Sequence, residues 1–185
     1  MKNLENALVK HCAPTLAGLK TASMINVTFK CPKQLAKMLT HLNNALNHKG
    51  LTLRLLRNSE NRALIYVYRQ NKLINDLNQE GVWTFLKDIG YPSSDPEDCL
   101  TFLTQRIRDC DGFPHEIGLF LSYPLADVKG FIKNKGENCK LCGYWKVYDN
   151  ESATKALFEK YKKCTKKYSE CFRNGSSLEK LTVAA

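Results

Sequence analysis

The order of elements between residues 22 and 69 constrains the fold more than any other feature of this sequence. Residues 22–29 (ASMINVTF) are β-branched and aromatic, which is typical of a buried strand. Pro32 then stands at a helix-start position and Gly50 at a helix stop, with leucines at helical spacing between them. The pattern therefore predicts a strand followed by a helix over 32–48.

Two further strand-like segments follow that helix. LTLRLLR at 51–57 and RALIYVYR at 62–69 are rich in strand formers, and the polar NSEN between them is typical of a turn. They predict a β-hairpin. Together with the first strand and the helix, we expect a βαβ unit with a right-handed crossover, to which the last strand adds antiparallel in a mixed sheet.

The rest of the chain is mostly helical in pattern. A short helix over 3–11 is predicted to end before Pro14, so that His11 closes it. Further elements are predicted as one or two helices at 72–89, a capped helix in SSDPEDCLTFLTQRIRD, helices in FPHEIGLFLSYP and PLADVKGFIKNKG, a fourth strand in LCGYWKVYD, and a long helix from Glu151 to Gly175. The predicted fold is α+β, a single domain over 1–175 with a small mixed sheet of about four strands covered by about seven helices, and a flexible tail over 176–185.

Length and patterning also bear on location. The 185 residues suit one domain with a real core, and no stretch approaches the roughly 18 to 20 apolar residues of a membrane span. The start, MKNLENALVKHC, is amphipathic and unlike a secretory signal. We therefore predict a cytoplasmic protein with no membrane partner. Its eight cysteines, among them Cys99 and Cys110 in helical patterns, are predicted to be reduced.

The net charge of +10 is uneven along the chain. Residues 129–185 hold 13 Lys/Arg against 6 Asp/Glu, a net +7, and much of this excess lies in the helical segment EKYKKCTKKYSECFR. Such a stripe could attract nucleic acid, an anionic cofactor or an acidic protein surface. Lysine also covers solvated helix faces, and this second interpretation is favoured.

Cys139 and Cys142 form a CxxC turn, which can supply half of a zinc site or a redox dithiol. The downstream Cys164 and Cys171 are seven apart on a helix, and no histidine follows position 115. The spacing favours an incidental pair, so we predict no zinc on these four cysteines. No phosphate-binding glycine loop, GxSxG or HExxH motif is present.

Two histidine clusters could carry chemistry. His11 and Cys12 are neighbours whose side chains point about 100° apart on a helix, so a Cys12 thiolate would need another base, such as His115. His115 and Glu116 follow Pro114 at the expected first turn of a helix, where an anion could bind the free amides. Helix capping and dipole compensation explain both clusters equally well.

Aromatic and cationic residues alternate on two predicted strands. Tyr66, Tyr68 and Arg69 form one such run, and the second run consists of Tyr144, Trp145, Lys146 and Tyr148. Such faces can stack flat ligands, but half-exposed strands also look like this. Alternation predicts Tyr66 and Tyr68 on one face of their strand. In the second run it predicts Tyr144, Lys146 and Tyr148 on one face, with Trp145 opposite them.

The segments HCAPTLAGLKTASMINV, IYVYR, FPHEIGLFLSYPLADVKGFI and GYWKVYDNESATKALFEKYKKC together resemble a family of small proteins from anaerobic bacteria, domain of unknown function three-seven-nine-three. The likeness covers about residues 7–175, with FPHEIGLFL and GYWKVY as its most specific parts, and this chain has LSYP at 121–124 where the family reads LGYP. The family carries no established activity, so the resemblance implies only a shared pocket. The residues implied to line it are His11, Pro14, Thr15, Lys20, Tyr68, Arg69, His115, Glu116, Trp145 and Lys146.

Five of these residues are polar groups at the ends of predicted elements, where open α/β architectures place binding sites. Buried polar groups are costly unless they pair, so we expect them to meet at one cavity. The five are His11, Lys20, Arg69, His115 and Glu116.

Three functions remain open from sequence. The first is a ligand-binding or accessory protein in anaerobic metabolism, with a small anionic or flat ligand. The second is an enzyme that uses Cys12 or His115 with Glu116 as acid and base, and the third is a nucleic-acid or protein adaptor that acts through the basic last helix. The sequence predicts no metal site and names neither a cofactor nor an oligomeric state.

Overall fold

The computed structural model describes residues 2–109 and 113–184, and it confirms the α+β class with nine α-helices among these residues. The chain divides into two compact units, one formed by Met1–Leu73 with Lys163–Ala185 and the other by Ile74–Lys162. The single domain over 1–175 stays a prediction. None of the described helices is both long and apolar enough to cross a membrane.

The first helix of unit 1, α1, is longer than its sequence predicts. It runs from Lys2 to Leu16 with Pro14 inside it. A proline removes the hydrogen bond to the carbonyl four residues earlier and its ring crowds that carbonyl. This helix ends two residues after Pro14, so the disturbance is confined to its C-terminal end. The Pro14 carbonyl accepts the N–H groups of Leu19 and Lys20 and closes that turn. His11 was therefore wrongly predicted to end the helix, because it lies within α1.

The elements that follow match the predicted order. They are β1 (Ala22–Thr28), α2 (Pro32–Leu46), β2 (Leu51–Ser59) and β3 (Arg62–Arg69). A short 3-10 helix (Asn47–Lys49) follows α2, and Gly50 ends it with φ 74°, a left-handed conformation that is common at helix ends. The local signals of proline, glycine and turn residues located this helix and the hairpin correctly.

The pairing of the strands differs from the prediction. The sheet order is β1-β3-β2 and both pairs are antiparallel, so the expected mixed sheet is wrong. β1 and β2 run in the same direction but are not neighbours, because β3 lies between them. β3 is buried at every position from Ala63 to Arg69, and the most continuously apolar strand takes the central place, where both of its edges are paired.

Unit 1 has one apolar core between the two helices and the sheet. Its members include Leu8, Cys12, Leu39, Ile65 and Leu178. Leucines at helical spacing on α1 and α2 meet the β-branched residues of the strands, as periodicity predicts.

The C-terminal residues also join unit 1. The flexible tail predicted over 176–185 instead contains α9 (Leu178–Leu181), whose N-cap Ser177 accepts the Lys180 N–H. Leu178 is buried in the core, and the Val183 N–H donates to the Leu16 carbonyl at 3.0 Å. Apolar residues after the glycine stop at Gly175 therefore pack rather than fray.

Unit 2 is built from short helices. Its elements are α4 (Val82–Ile89), α5 (Pro96–Asp109), α6 (Ile117–Phe120), α7 (Leu125–Lys133), and the ends of α3 (Gln70–Leu77) and α8 (Glu151–Arg173) that lie within 74–162. The predicted capped helix is α5, and its cap is Asp95, whose Oδ1 accepts the N–H groups of Glu97 and Asp98. Cys99 is buried in α5, whereas Cys110 lies outside the described residues.

Two predicted elements of unit 2 are shorter than expected, because turns interrupt them. The helix expected from FPHEIGLFLSYP is the four-residue α6, and His115 and Glu116 precede it in a turn. The strand expected in LCGYWKVYD is a small hairpin of β4 (Leu141–Cys142) and β5 (Lys146–Val147). The turn at 143–145 breaks the strand alternation, so the predicted opposite faces for Trp145 and its neighbours do not apply.

Candidate functional site

The predicted site residues form two groups, one in each unit. Unit 1 holds His11, Pro14, Thr15, Lys20, Tyr68 and Arg69, and unit 2 holds His115, Glu116, Trp145 and Lys146. A cavity that both groups share stays a prediction. The contacts within each group show what its polar atoms do.

Arg69 in unit 1 is fully buried, with 0% of its surface exposed. Its guanidinium donates to the carbonyls of Thr15 at 2.7 Å, Leu16 at 2.6 Å, Val183 at 2.8 Å and Lys49 at 3.2 Å. Two of these are carbonyls at the end of α1, which have no partner within the helix and favour a cation. Arg69 therefore joins three chain segments, and four of its five N–H groups donate within the fold.

Thr15 and Lys20, two further predicted residues of unit 1, also have hydrogen-bond partners within the protein. Thr15 and Ser23 share a hydrogen bond of 2.9 Å between their hydroxyls, and Lys20 donates to the Ala22 carbonyl. Tyr68 stacks on Tyr66 with ring centroids 4.9 Å apart, on one face as predicted, although both rings are buried. These contacts hold the side chains of Thr15, Lys20 and Tyr68 within the fold.

Cys12 was one candidate nucleophile. It lies in the core of unit 1, and burial raises the pKa of its thiol to about 12, against smaller opposing effects of Lys20 and Ser23. The thiolate is the reactive form of cysteine, so a thiol held protonated in an apolar core is unsuited to attack a substrate.

Glu116 of unit 2 is almost entirely buried beside a cation. Its Oε1 accepts the Arg106 Nε–H at 2.6 Å and the Tyr91 hydroxyl at 3.4 Å. Burial is the main cause that raises the pKa of Tyr91, and the Glu116 charge adds to it. Glu116 therefore links α5 to the turn before α6, and it does not line the cavity described next.

The unit 2 cavity, the candidate site, has a volume of about 270 Å³. Three of the predicted residues line it, namely His115, Trp145 and Lys146. The other lining residues come from α6, α7 and the hairpin: Ile117, Gly118, Tyr123, Asp127, Val128, Phe131, Cys142 and Gly143. A cavity of this size is just below the range of about 300–1,000 Å³ for drug-sized ligands.

Aromatic pairs form the walls of this cavity. Tyr123 stacks on Trp145 with centroids 4.6 Å apart and an interplanar angle of 23°, and Phe158 meets Trp145 edge-on at 4.6 Å. His115 and Phe131 form another edge-to-face pair at 4.9 Å. Such offset and edge contacts fix ring positions beyond simple area burial, so the walls are preformed.

Asp127 fixes the orientation of Trp145. It is 2% exposed, and its Oδ2 accepts the Trp145 indole N–H at 2.8 Å. Its Oδ1 accepts the backbone N–H groups of Tyr148 at 2.7 Å and Asp149 at 3.0 Å. The carboxylate also lies in the first turn of α7, where the helix dipole favours a negative charge. A buried charge is therefore matched by three donors and a dipole.

Lys146 lies at the rim of the cavity. Its ammonium donates to the Gly136 carbonyl at 2.6 Å, and it is the register partner of Cys142 across the hairpin. A Cβ on Gly136 would lie 3.2 Å from the Phe131 ring and 3.5 Å from the Lys146 Nζ. Gly136 thus places the ammonium beside an aromatic wall.

Close backbone approaches hold the elements around the cavity. A Cβ on Gly118 would lie 2.7 Å from Val128, and one on Gly143 would lie 2.3 Å from the Phe158 ring. α6 therefore packs directly on α7, and the hairpin turn packs directly on α8. On α7, Phe131 lies four residues after Asp127 and three after Val128, so its side chain is adjacent to both on the helix surface.

Sequence reasoning missed Asp127, Tyr123 and Phe131, because nothing local distinguishes a buried acid or ring from an exposed one. It assessed Cys142 only for metal or redox chemistry, whereas this residue lines the cavity and is exposed. The seven cysteines among the described residues are free thiols. Within residues 2–109 and 113–184 no cluster of three or more His, Cys, Asp or Glu side chains could hold a metal ion.

The fold and the cavity define an α+β protein with a small, aromatic-walled cavity beside a buried carboxylate. The chain belongs to the family described as Protein of unknown function (DUF3793), whose model matches residues 8–182. This confirms the predicted family, while the origin in anaerobic bacteria stays a prediction. No curated protein and no solved structure matches the chain.

Proposed function

We propose that this protein binds a small, flat organic molecule in the cavity of unit 2. The observation that carries the proposal is the apolar cavity of about 270 Å³ walled by two aromatic pairs. A cavity of about 150 Å³ lined by apolar side chains is large enough for benzene, so this one suits a planar molecule of one or two rings.

The walls of the cavity are preorganised, which favours a binding site over a packing defect. Trp145 is 7% exposed and is held by Asp127, Tyr123 and Phe158, so the walls need little ordering when a ligand enters. Planar ligands also match the faces and edges of aromatic rings.

The two alternatives have less support. An enzyme with Cys12 as nucleophile conflicts with the raised pKa of its buried thiol, and the Glu116 carboxylate is engaged by Arg106. The adaptor function rests on the lysines of α8, of which Lys162 pairs with Glu159 at 2.7 Å. A role in anaerobic metabolism and a cytoplasmic location stay predictions of the sequence.

The test is NMR titration with a panel of planar one- and two-ring compounds. The indole N–H of Trp145 is the reporter, and Trp83→Phe removes the signal of the other tryptophan. We expect one or more compounds to bind and to shift the Trp145 signal.

A blocking variant locates the binding. Cys142→Phe puts a ring at an exposed position on the cavity wall, and Leu141→Phe is the matched control on the neighbouring residue, which faces the other side of β4. We expect binding to be lost in the first variant and kept in the second. Binding that Cys142→Phe leaves unchanged, or a panel with no binder below about 1 mM, a binding free energy of about −4 kcal/mol, would contradict the proposal.

A further inference from the structure

The polar groups around the cavity of unit 2 differ in what they can still bind. The ionisable side chains among its described lining residues are His115, Tyr123, Asp127, Cys142 and Lys146. An incoming ligand meets only those hydrogen-bonding positions that the protein leaves unused. These positions therefore decide which chemical group of a ligand the cavity accepts.

The acceptors of the cavity wall are already engaged. Asp127 receives three N–H donors, two on Oδ1 and one on Oδ2. The Tyr123 hydroxyl donates to the Tyr144 carbonyl at 3.3 Å, and burial raises the pKa of this hydroxyl to about 12, so it stays neutral. A cationic or donor-rich ligand would find no exposed carboxylate among these lining residues.

The donors remain available. An ammonium has three N–H groups, and that of Lys146 gives one of them to the Gly136 carbonyl. His115 contributes an exposed imidazole on the Phe131 wall. A Cβ on Gly136 would lie 3.2 Å from the Phe131 ring and 3.5 Å from the Lys146 Nζ, so the charge is held next to the apolar wall.

We propose that the ligand of this cavity is a planar aromatic carboxylate, whose ring lies among the aromatic walls and whose carboxylate binds Lys146 and His115. This inference rests on the proposed function and specifies its ligand class. The two donors match the two oxygens of one carboxylate, and bonds between charged partners are about twice as strong as neutral ones.

The experiment compares 2-naphthoate with 2-naphthamide by isothermal titration calorimetry. The two probes have nearly the same shape, but the acid carries a charged oxygen where the amide carries an NH₂ donor. We expect the acid to bind at least about tenfold more tightly, as one charge-assisted hydrogen bond implies.

Matched variants assign the preference to one lysine. Lys146→Met is expected to reduce the preference for the acid to about threefold or less, and Lys146→Arg to keep it, because arginine retains the charge. Lys140→Met is the control, since Lys140 lies on the same hairpin region and also donates to a carbonyl, that of Asp149 at 2.9 Å, but does not line the cavity. His115→Phe keeps an aromatic ring against Phe131, and we expect it to weaken the binding of 2-naphthoate more than that of 2-naphthamide.

Each outcome decides the inference. Equal affinity of the two probes in the unmodified protein would overturn it and leave the proposed function intact. An equal effect of Lys140→Met and Lys146→Met would also overturn it, because the preference would then reflect only the net charge of +10. If neither probe binds, the inference is overturned, and the planar panel decides the proposed function separately.

Discussion

Replacing Asp127 tests the central physical claim about the cavity, that a buried carboxylate holds Trp145 in place. Asp127→Asn keeps the shape of the side chain and removes its charge. Its amide oxygen can still accept the backbone N–H groups of Tyr148 and Asp149, but its NH₂ then faces the indole N–H of Trp145, donor against donor.

The magnitude follows from the bonds that change. One buried indole N–H loses its acceptor, which costs about 1–3 kcal/mol, and the two remaining bonds lose their charge assistance. We therefore expect Asp127→Asn to lower the free energy of unfolding by about 2–3 kcal/mol. Asp127→Ala leaves all three donors unsatisfied, and we expect it to lower the free energy by about 4 kcal/mol.

The assay is urea unfolding followed by tryptophan fluorescence and by circular dichroism. Asp149→Asn is the matched control, because its exposed side chain carries the same charge close by. It should change the free energy of unfolding by no more than about 0.5 kcal/mol. Agreement between the two probes tests whether unfolding is two-state.

A double-mutant cycle separates the hydrogen bond from general damage. Trp145→Phe removes the indole donor, so Asp127→Asn should cost about 1–2 kcal/mol less in that background. Effects that add to within about 0.5 kcal/mol would show that the 2.8 Å bond between Asp127 and Trp145 contributes nothing to stability, and the reasoning would fail.

Two further changes test the interior of unit 1. Arg69→Met removes four hydrogen bonds to carbonyls, although the Thr15 and Leu16 carbonyls each keep one backbone N–H donor. We expect it to lower the free energy of unfolding by about 3–5 kcal/mol, whereas Arg62→Met, at the exposed end of the same strand, should change it little. A loss below about 1 kcal/mol for Arg69→Met would contradict its assigned role. Burial raises the pKa of Cys12 from 9.0 to about 12, so above pH 9 the unfolded chain releases this proton while the folded chain keeps it, and stability should fall by about 1.4 kcal/mol per pH unit from this group. Cys12→Ala should remove this contribution to the pH dependence of the free energy of unfolding between pH 9 and 11, measured by urea unfolding. An unchanged pH dependence would refute the raised pKa of Cys12.

The elements with local signals could be predicted from the sequence. Pro32 begins α2, Gly50 ends the short 3-10 helix (Asn47–Lys49) that follows it, and Asp95 caps α5. The polar turn between two strand-like segments predicts the hairpin of β2 and β3. Such signals act within a few residues, because they concern backbone conformation and the unpaired N–H and C=O groups of a helix end.

The strand order and the end of the chain depended on contacts far apart in sequence. β3 takes the centre of the sheet because it is buried along almost its whole length. Predicting this place requires a comparison of the burial of all three strands. The segment after Gly175 looks like a polar tail, yet Leu178 finds the core and Val183 bonds Leu16. Helix propensity and turn patterns carry no information about such partners.

The candidate site shows the same division. The sequence predicted His115, Trp145 and Lys146 as ligand-binding residues, and they line one cavity, but it could not identify Asp127. An aspartate in the first turn of a helix is usually exposed, and only the tertiary structure brings the indole of Trp145 and two backbone N–H groups onto its oxygens. A buried charge is stable only when its partners surround it, and those partners are chosen by packing rather than by sequence spacing.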